Sequence, residues 1–434
     1  MELTSTLNHE LSSSWRDAIL SGLAPDGGLF IPRNIPRLSA SEIEALRAAS
    51  FQELAAEILH RYLQSEIPKT VLSEICLDAF SFELPLVKIS ENTFVLELFH
   101  GPTCAFKDFG ARCMAGLFRF FLTGARDPLT ILVATSGDTG SAVANAFLDR
   151  SASPSIRVVV LFPKGKVSRV QEQQMTTLGH NVTAIEIDGT FDDCQKLVKT
   201  ALSDTDLQRT VRLSSANSIN IARLLPQSLY YIYAALQFPL SLPPIFSVPS
   251  GNLGNVTGGL MASLMGVPIS HFIVACNSNN VVPQYLTTGE FCPAPSTKTI
   301  SNAMDVGNPS NFARILALLG SSCEAVNNHL SAYSISDDET RANLHNVSHD
   351  TGYILDPHTA VGYAALDLYR KSSGSRAPGI VLGTAHPAKF GDTVEACIGR
   401  SPQLPVQLEA AFALVGNKIS LGNEYALLKQ LLQS

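Results

Sequence analysis

Six short, nearly continuous apolar runs constrain this chain more than any other feature. They are "LTILVAT" (Leu129–Thr135), "IRVVVLFP" (Ile156–Pro163), "NVTAIEID" (Asn181–Asp188), "PIFSVPS" (Pro244–Ser250), "HFIVACN" (His271–Asn277) and "GIVLGT" (Gly379–Thr384). A strand with one wet face alternates polar and apolar residues, whereas a continuous run needs cover on both faces, which helices on either side of a parallel sheet supply. Stretches of helical periodicity separate the runs, so the pattern predicts a doubly wound α/β architecture. A further segment, "TFVLELFHG" (Thr93–Gly101), reads as a strand running into a loop. With 434 residues, 45% of them hydrophobic and 16% charged, the chain can bury enough core for two or three domains.

The first part of the chain differs. From Ser39 to about Phe80 the periodicity is helical, with Ser50 and Glu53 spaced as a capping box and Pro68 placed to open a helix. The proline-rich "QFPLSLPPIF" (Gln237–Phe246) resembles a linker. These signals divide the chain into a mainly helical domain over 1–90, a first α/β domain over 91–238 and a second over 239–434. There is no solenoid repeat and no low-complexity tract.

Charge and cysteine usage narrow the function. A formal net charge of −7 without a lysine or arginine cluster offers no surface for a nucleic-acid backbone. Eight cysteines without C-x-x-C spacing, in a chain too long to need disulfide staples, suit a reducing cytoplasm. The N-terminal residues form no apolar leader, and no apolar run reaches membrane-spanning length. The expectation is a cytoplasmic protein acting on a small molecule, with no nucleic acid, membrane or obligate protein partner.

Two glycine-rich loops each follow an expected strand and open a helix, "ATSGDTGSAVANAF" (Ala134–Phe147) and "VPSGNLGNVTGGL" (Val248–Leu260). Glycine allows close backbone approach, and the free N–H groups of a helix's first turn attract anions. Either loop alone is also compatible with an ordinary strand-to-helix turn. Neither carries the G-x-G-x-x-G spacing of dinucleotide sites or a P-loop lysine. Lys107, in "FHGPTCAFKDFG" (Phe99–Gly110), lies between phenylalanines after a strand. Desolvation there would lower the ammonium pKa and free an amine for a Schiff base, although a snorkelling lysine at a helix start has the same local sequence. Pyridoxal phosphate requires both an amine for its aldehyde and an anion site for its phosphate, so one cofactor accounts for the lysine and the loops together.

The segments "HGPTCAFKDFG", "TSGDTG", "SANSINIARLLPQ", "PSGNLGN", "SNAMDVGNPSN" and "GTAHPAKF", with "APDGGLFIP" at Ala24–Pro32, resemble in order the motif series of the threonine synthase family over nearly the whole chain. The resemblance implies pyridoxal 5'-phosphate and fold type II of its enzymes, that of the tryptophan synthase β subunit: two doubly wound α/β domains plus a helical N-terminal domain. It also implies a carbon–oxygen lyase acting on phosphates, which converts O-phospho-L-homoserine and water to L-threonine and phosphate by γ-elimination and β-addition of water, the last step of threonine biosynthesis. Lys107 would be the Schiff-base lysine and proton carrier. Gly251, Asn252, Leu253, Gly254 and Asn255 would wrap the cofactor phosphate, Thr384 would meet the pyridine nitrogen, and Asp138 would lie near the ring's phenolic oxygen or the substrate carboxylate. Leu253 departs from the phenylalanine more usual in the family.

For the substrate phosphate the candidates are Lys164 and Lys166, Asn217, Asn220 and Arg223, and Ser136 or Thr139, with surface or structural roles as the alternative for each. His100 and His386, in family motifs, are expected to line the site. His345 and His349 share a helical face but lack a zincin glutamate, so no metal is expected. Asp192 and Asp193 fit a helix's first turn, and Cys104 fits a packing role. Two other readings stay open: a related phospholyase giving a 2-oxo acid, and a non-catalytic ligand-binding relative.

Overall fold

The structure, a computed structural model, describes residues 1–125, 127–151 and 155–433, without the side chains of 410 and 412. Its strands are β1 (Leu3–Ser5), β2 (Phe30–Pro32), β3 (Leu86–Lys88), β4 (Thr93–Glu97), β5 (Leu129–Ala134), β6 (Ile156–Pro163), β7 (Val182–Ile187), β8 (Arg212–Ser215), β9 (Ile245–Pro249), β10 (His271–Cys276), β11 (Leu330–Ser334), β12 (Gly379–Gly383) and β13 (Ile419–Leu421). All six apolar runs form strands, and every residue of β5, β9 and β12 is buried, as two-faced cover requires.

Apart from the β1–β2 pair, these strands build two sheets. One is five-stranded and parallel, in the order β13-β7-β6-β5-β8. The other is six-stranded, in the order β11-β10-β9-β12-β4-β3, parallel except for the antiparallel β3–β4 pair. The four strands at the sheet edges, β3, β8, β11 and β13, lack continuous apolar runs because an edge is only partly covered.

The expected domain boundaries do not follow the sheets. β4 pairs with β12, Leu96 opposite Leu382, so the start of the 91–238 segment belongs to the six-stranded sheet. A cut at residue 90 would also separate β3 from β4. Near the other end β13 pairs with β7, placing residues of the 239–434 segment in the first sheet. There Lys418 spans Glu172 at 2.6 Å and Glu186 at 2.7 Å. The chain crosses between the two sheets more often than a single linker would require.

The N-terminal part is mainly helical, with helices Trp15–Ser21, Ala40–Arg47, Phe51–Leu63 and Lys69–Ala79 and the small antiparallel β1–β2 pair. The expected capping box is present: the Glu53 N–H donates to Ser50 Oγ at 3.3 Å while Glu53 Oε2 accepts from the Ser50 N–H at 2.9 Å. Phe51 packs edge-on against Phe80, Phe109 and Tyr233, which joins this part to the helix that begins at Lys107.

Arg314 fixes how these parts meet. Wholly buried, it donates from Nε to the Phe30 carbonyl at 2.9 Å, from Nη1 to Ser218 O at 3.0 Å and Asn311 Oδ1 at 2.7 Å, and from Nη2 to Ile219 O at 2.6 Å. Replacing it by methionine leaves four acceptors, three of them on buried residues, short of a donor. Arg314→Met is therefore expected to lose about 3 kcal/mol or more of stability, read as a lower urea midpoint, with Arg314→Lys recovering only part.

Candidate active site

The stretch around Lys107 closes on itself. The Asp108 carboxylate accepts from the Thr103 N–H at 2.9 Å and the Thr103 hydroxyl at 2.7 Å, and a Cβ at Gly101 would lie 2.5 Å from Asp108 Oδ2, so only glycine fits there. The Phe106 N–H donates to Thr384 O at 2.9 Å and the His386 N–H to Cys104 O at 3.0 Å, stitching this loop to the end of β12. Lys107 thus sits at the first position of the helix Lys107–Phe121, and its side chain, 14% exposed, opens into a cleft between the sheets.

Asp138, at the start of the helix Asp138–Ala146, stands between two lysines. Its Oδ2 is 3.7 Å from Lys107 Nζ and its Oδ1 2.8 Å from the ammonium of Lys389, a side chain with no exposure; Gln171 Nε2 also donates to Oδ1 at 2.9 Å. Burial pushes the Asp138 carboxyl up, but Lys389, Lys107 and the hydrogen bonds from Lys389 and Gln171 outweigh it and hold the group below the usual carboxylate range. For Lys107 burial dominates and lowers the ammonium pKa, with Asp138 opposing and Lys389 and Arg223 adding to the fall. A buried amine of lowered basicity can bond covalently to an aldehyde and carry protons.

The second glycine loop forms the other wall. Leu253 adopts φ 60° and ψ 5°, a left-handed turn that aims the backbone into the helix Gly254–Leu264, and a Cβ at Gly251 would lie 2.8 Å from Met304 Cα. Asn252 is held by neighbours: Nδ2 donates to Ser218 Oγ at 2.6 Å, Oδ1 accepts from the Ser310 N–H at 2.5 Å, and its carbonyl accepts from Asn311 Nδ2 at 2.9 Å. Asn255 is the most informative residue. The hydroxyls of Tyr230 and Tyr231 donate to its Oδ1 at 2.6 and 2.7 Å, which leaves Nδ2 buried at the cleft without a partner among the described residues. A donor so fixed at a helix N-terminus suits a phosphate. Thr384, also on the cleft wall, makes no side-chain hydrogen bond among the described residues.

The cleft brings together Lys107, Ser136, Asp138, Thr139, Asn217, Arg223, the segment 251–255 and Thr384. Burial lowers the Arg223 guanidinium to about 10 against the attraction of Asp108; Nη1 donates to Ala216 O at 2.7 Å and Nε has no partner among the described residues. Asn217 reaches the cleft, but its amide holds the end of β5, Nδ2 donating to Ala134 O at 2.7 Å and Oδ1 accepting from the Ala134 N–H at 3.1 Å.

Several expectations need correction. Lys164 and Lys166 are exposed, on a turn through Gly165 with φ 64°, and do not line the cleft. Asn220 is fully used elsewhere: its Nδ2 donates to Ile19 O and Ser215 O, and its Oδ1 accepts the Ala222 N–H, so it docks the N-terminal part. His100 is held by Glu97 at 2.7 Å, and His386 Nδ1 accepts the Ala388 N–H at 3.2 Å, so neither lines the cleft.

Other readings match the structure. Cys104 packs against Val170, Ala388 and Leu408, and burial pushes its thiol up to about 12. Asp193 completes a capping box with Thr190, and His345 and His349 are exposed. Sequence reasoning missed Gln171, the tyrosine pair, Gln227, His358 and Lys389. Lys389 lies inside "GTAHPAKF", where a lone lysine carries no mark of burial; the adjacent "YY" was the visible signal for the tyrosines.

A buried amine, an N-terminal helix cradle with an unpartnered amide and a free hydroxyl between parallel sheets define a pyridoxal phosphate-dependent enzyme; the family model "Pyridoxal-phosphate dependent enzyme" matches residues 83–382. Two further models, "Threonine synthase N terminus" and "Threonine synthase, C-terminal", match residues 2–80 and 359–431. The threonine synthase of Escherichia coli is 41% identical over 100% of both chains, and that of Haemophilus influenzae 41% identical over 99% of both. Among solved structures, the E. coli threonine synthase superposes with a TM-score of 0.91 at 39% identity, covering 100% of this chain and 99% of that one. A threonine synthase from Brucella melitensis, solved with pyridoxal phosphate bound, gives 0.91 at 37% identity, with the same coverage. The chain belongs to the threonine synthase family.

The Asn255 geometry yields a test. Asn255→Ala should weaken pyridoxal phosphate binding by roughly tenfold to a hundredfold, the worth of a hydrogen bond to a charged group. The Tyr230→Phe/Tyr231→Phe double variant should lose about tenfold, because its amide is no longer oriented. Equilibrium titration of the apoprotein measures both.

Proposed function

We propose that this chain converts O-phospho-L-homoserine and water to L-threonine and inorganic phosphate, with Lys107 as its covalent and proton-carrying residue. The observation that carries the substrate assignment is a second set of unspent donors besides Asn255. Arg223, a buried residue of the cleft wall, has an Nε without a partner among the described residues, and the hydroxyls of Ser136 and Thr139, which line the same cleft, make no hydrogen bond among them. An enzyme whose substrate and cofactor both carry phosphate needs two anion sites, and arginine suits the one that must release a dianion.

Bound pyridoxal phosphate supplies an aldehyde for reversible attachment to an amine and a ring that spreads negative charge from the adjoining carbon. Residues 251–255 are assigned to its phosphate, Thr384 to its ring nitrogen and Asp138 to the neighbourhood of its phenolic oxygen. Once the substrate amine takes its place, the Lys107 amine is free to act as a base. It removes the proton from substrate Cα; a second proton leaves Cβ as the Cγ–O bond breaks and phosphate departs. A proton is then delivered to Cγ, water adds its hydroxyl at Cβ, and Cα regains a proton. Arg223, Ser136 and Thr139 hold the phosphate through that cleavage, and Asn217, bonded to both the carbonyl and the N–H of Ala134, keeps the start of the first loop in position. The eight free cysteines and the absence, among the described residues, of any helix long and apolar enough to cross a membrane support a cytoplasmic assignment.

Incubating the pyridoxal phosphate-loaded protein with O-phospho-L-homoserine should release phosphate and threonine in equal amounts, both abolished in Lys107→Ala. Phosphate accompanied by 2-oxobutyrate would select a phospholyase instead. Arg223→Lys should lower kcat/KM for the phosphorylated substrate by roughly tenfold to a hundredfold, since a single ammonium does not reproduce the guanidinium's fixed donors, with cofactor retained. Steady-state kinetics and the cofactor absorbance separate the two effects.

A further inference from the structure

The ammonium of Lys389 has no part in the steps above, yet it is completely buried and lies closer to Asp138 than Lys107 does, 2.8 Å against 3.7 Å. Its other partner is the Thr103 carbonyl at 2.8 Å, and Thr103 is itself held by Asp108. Lys389 therefore has a fixed position, on the short turn Pro387–Phe390 that follows β12 and Thr384.

We propose that Lys389 is a positioning residue for Lys107: as the buried counterion of Asp138, it keeps that carboxylate from holding Lys107 as an ammonium ion, so that Lys107 is available as a neutral amine to capture an aldehyde cofactor.

Charge balance among these buried groups decides where the proton sits. With Lys389 present, removing the Lys107 proton leaves a neutral Lys389–Asp138 pair. Without it, the same deprotonation strands a buried carboxylate with no cation in contact, which is costly, so the proton would stay on Lys107. The charged groups facing Lys107 are Asp138 from the helix Asp138–Ala146, Lys389 from the turn after β12 and Arg223 from the helix Ile221–Leu224. Asp108, on Lys107's own helix, is turned to Thr103, and His358, also on the cleft wall, is paired with Asp356 at 2.7 Å. The inference rests on the reading of Lys107 as the covalent residue. In the capture itself the nitrogen lone pair bonds to the aldehyde carbon, and the aldehyde oxygen leaves as water with the two amine hydrogens; only the neutral amine can begin it.

The test follows absorbance as apoprotein and pyridoxal phosphate are mixed between about pH 6 and pH 10, a range reaching toward the ordinary lysine pKa. Lys389→Gln keeps a donor for the Thr103 carbonyl and removes the charge. It should shift the rate profile about one unit toward high pH, making capture near neutrality about tenfold slower. Lys389→Arg should retain the wild-type profile, and Lys389→Gln/Asp138→Asn should move it back toward low pH. A Lys389→Gln profile that superimposes on the wild type overturns the proposal, as does Lys389→Arg shifting as far as Lys389→Gln. If Lys389→Gln and Lys389→Met both fail to fold, recovery of the fold on adding Asp138→Asn supports the charge pairing, and failure to recover overturns it. Capture of the aldehyde by Lys107→Ala at the wild-type rate would overturn the assignment of Lys107 itself, a result distinct from the others.

Discussion

The geometry of this site depends on one buried guanidinium that touches no reacting atom. Arg314 binds the carbonyl of Phe30 in the N-terminal part, the carbonyls of Ser218 and Ile219 beside the cleft, and the side chain of Asn311. Asn311 then donates to the carbonyl of Asn252 and to Ser218 Oγ. Segments almost three hundred residues apart in sequence are thereby held within hydrogen-bond distance of one another. Burial lowers the guanidinium to about 9, but it remains charged at neutral pH, and four oxygen acceptors solvate it in place of water. The N-terminal part, through β2, consequently serves as part of the scaffold that sets the loop at residues 251–255.

What could be read from the sequence follows from how physics writes itself there. Strands buried on both faces must be apolar throughout, so β5, β6, β7, β9, β10 and β12 were visible. Edge strands such as β8, "RLSS", and β13, "ISL", obey a weaker rule and were not. The expected boundaries depart from the sheets for a related reason: a proline-rich linker is a local signal, whereas the pairing of β4 with β12 and of β13 with β7 is a contact between distant segments.

The site divides in the same way. Lys107, Arg223 and the two glycine loops, which the structure brings to one cleft, stood out through residue type and position. Lys389 did not, because a lysine that neutralises a buried carboxylate looks in sequence like one that faces water. Asn220 and Lys164 erred in the opposite sense. A polar residue in a motif can be spent on structure, as Asn220 is on the Ile19 carbonyl, or lie on the surface, as Lys164 does, and composition cannot tell these apart.

The strand order also governs when the site can exist during synthesis. β12 lies between β9 and β4, so the six-stranded sheet stays in two pieces until residues 379–383 have emerged from the ribosome. The Lys107 loop is stitched to residues 384–386 just beyond them, through the Phe106 and His386 N–H groups. Until then the nascent chain carries unpaired strand flanks, the kind of surface that invites aggregation. A ribosome that stalls before this point releases a polypeptide whose Lys107 loop has nothing to be stitched to, however well its first sheet has begun to fold, so assembly of the cleft waits on one short strand.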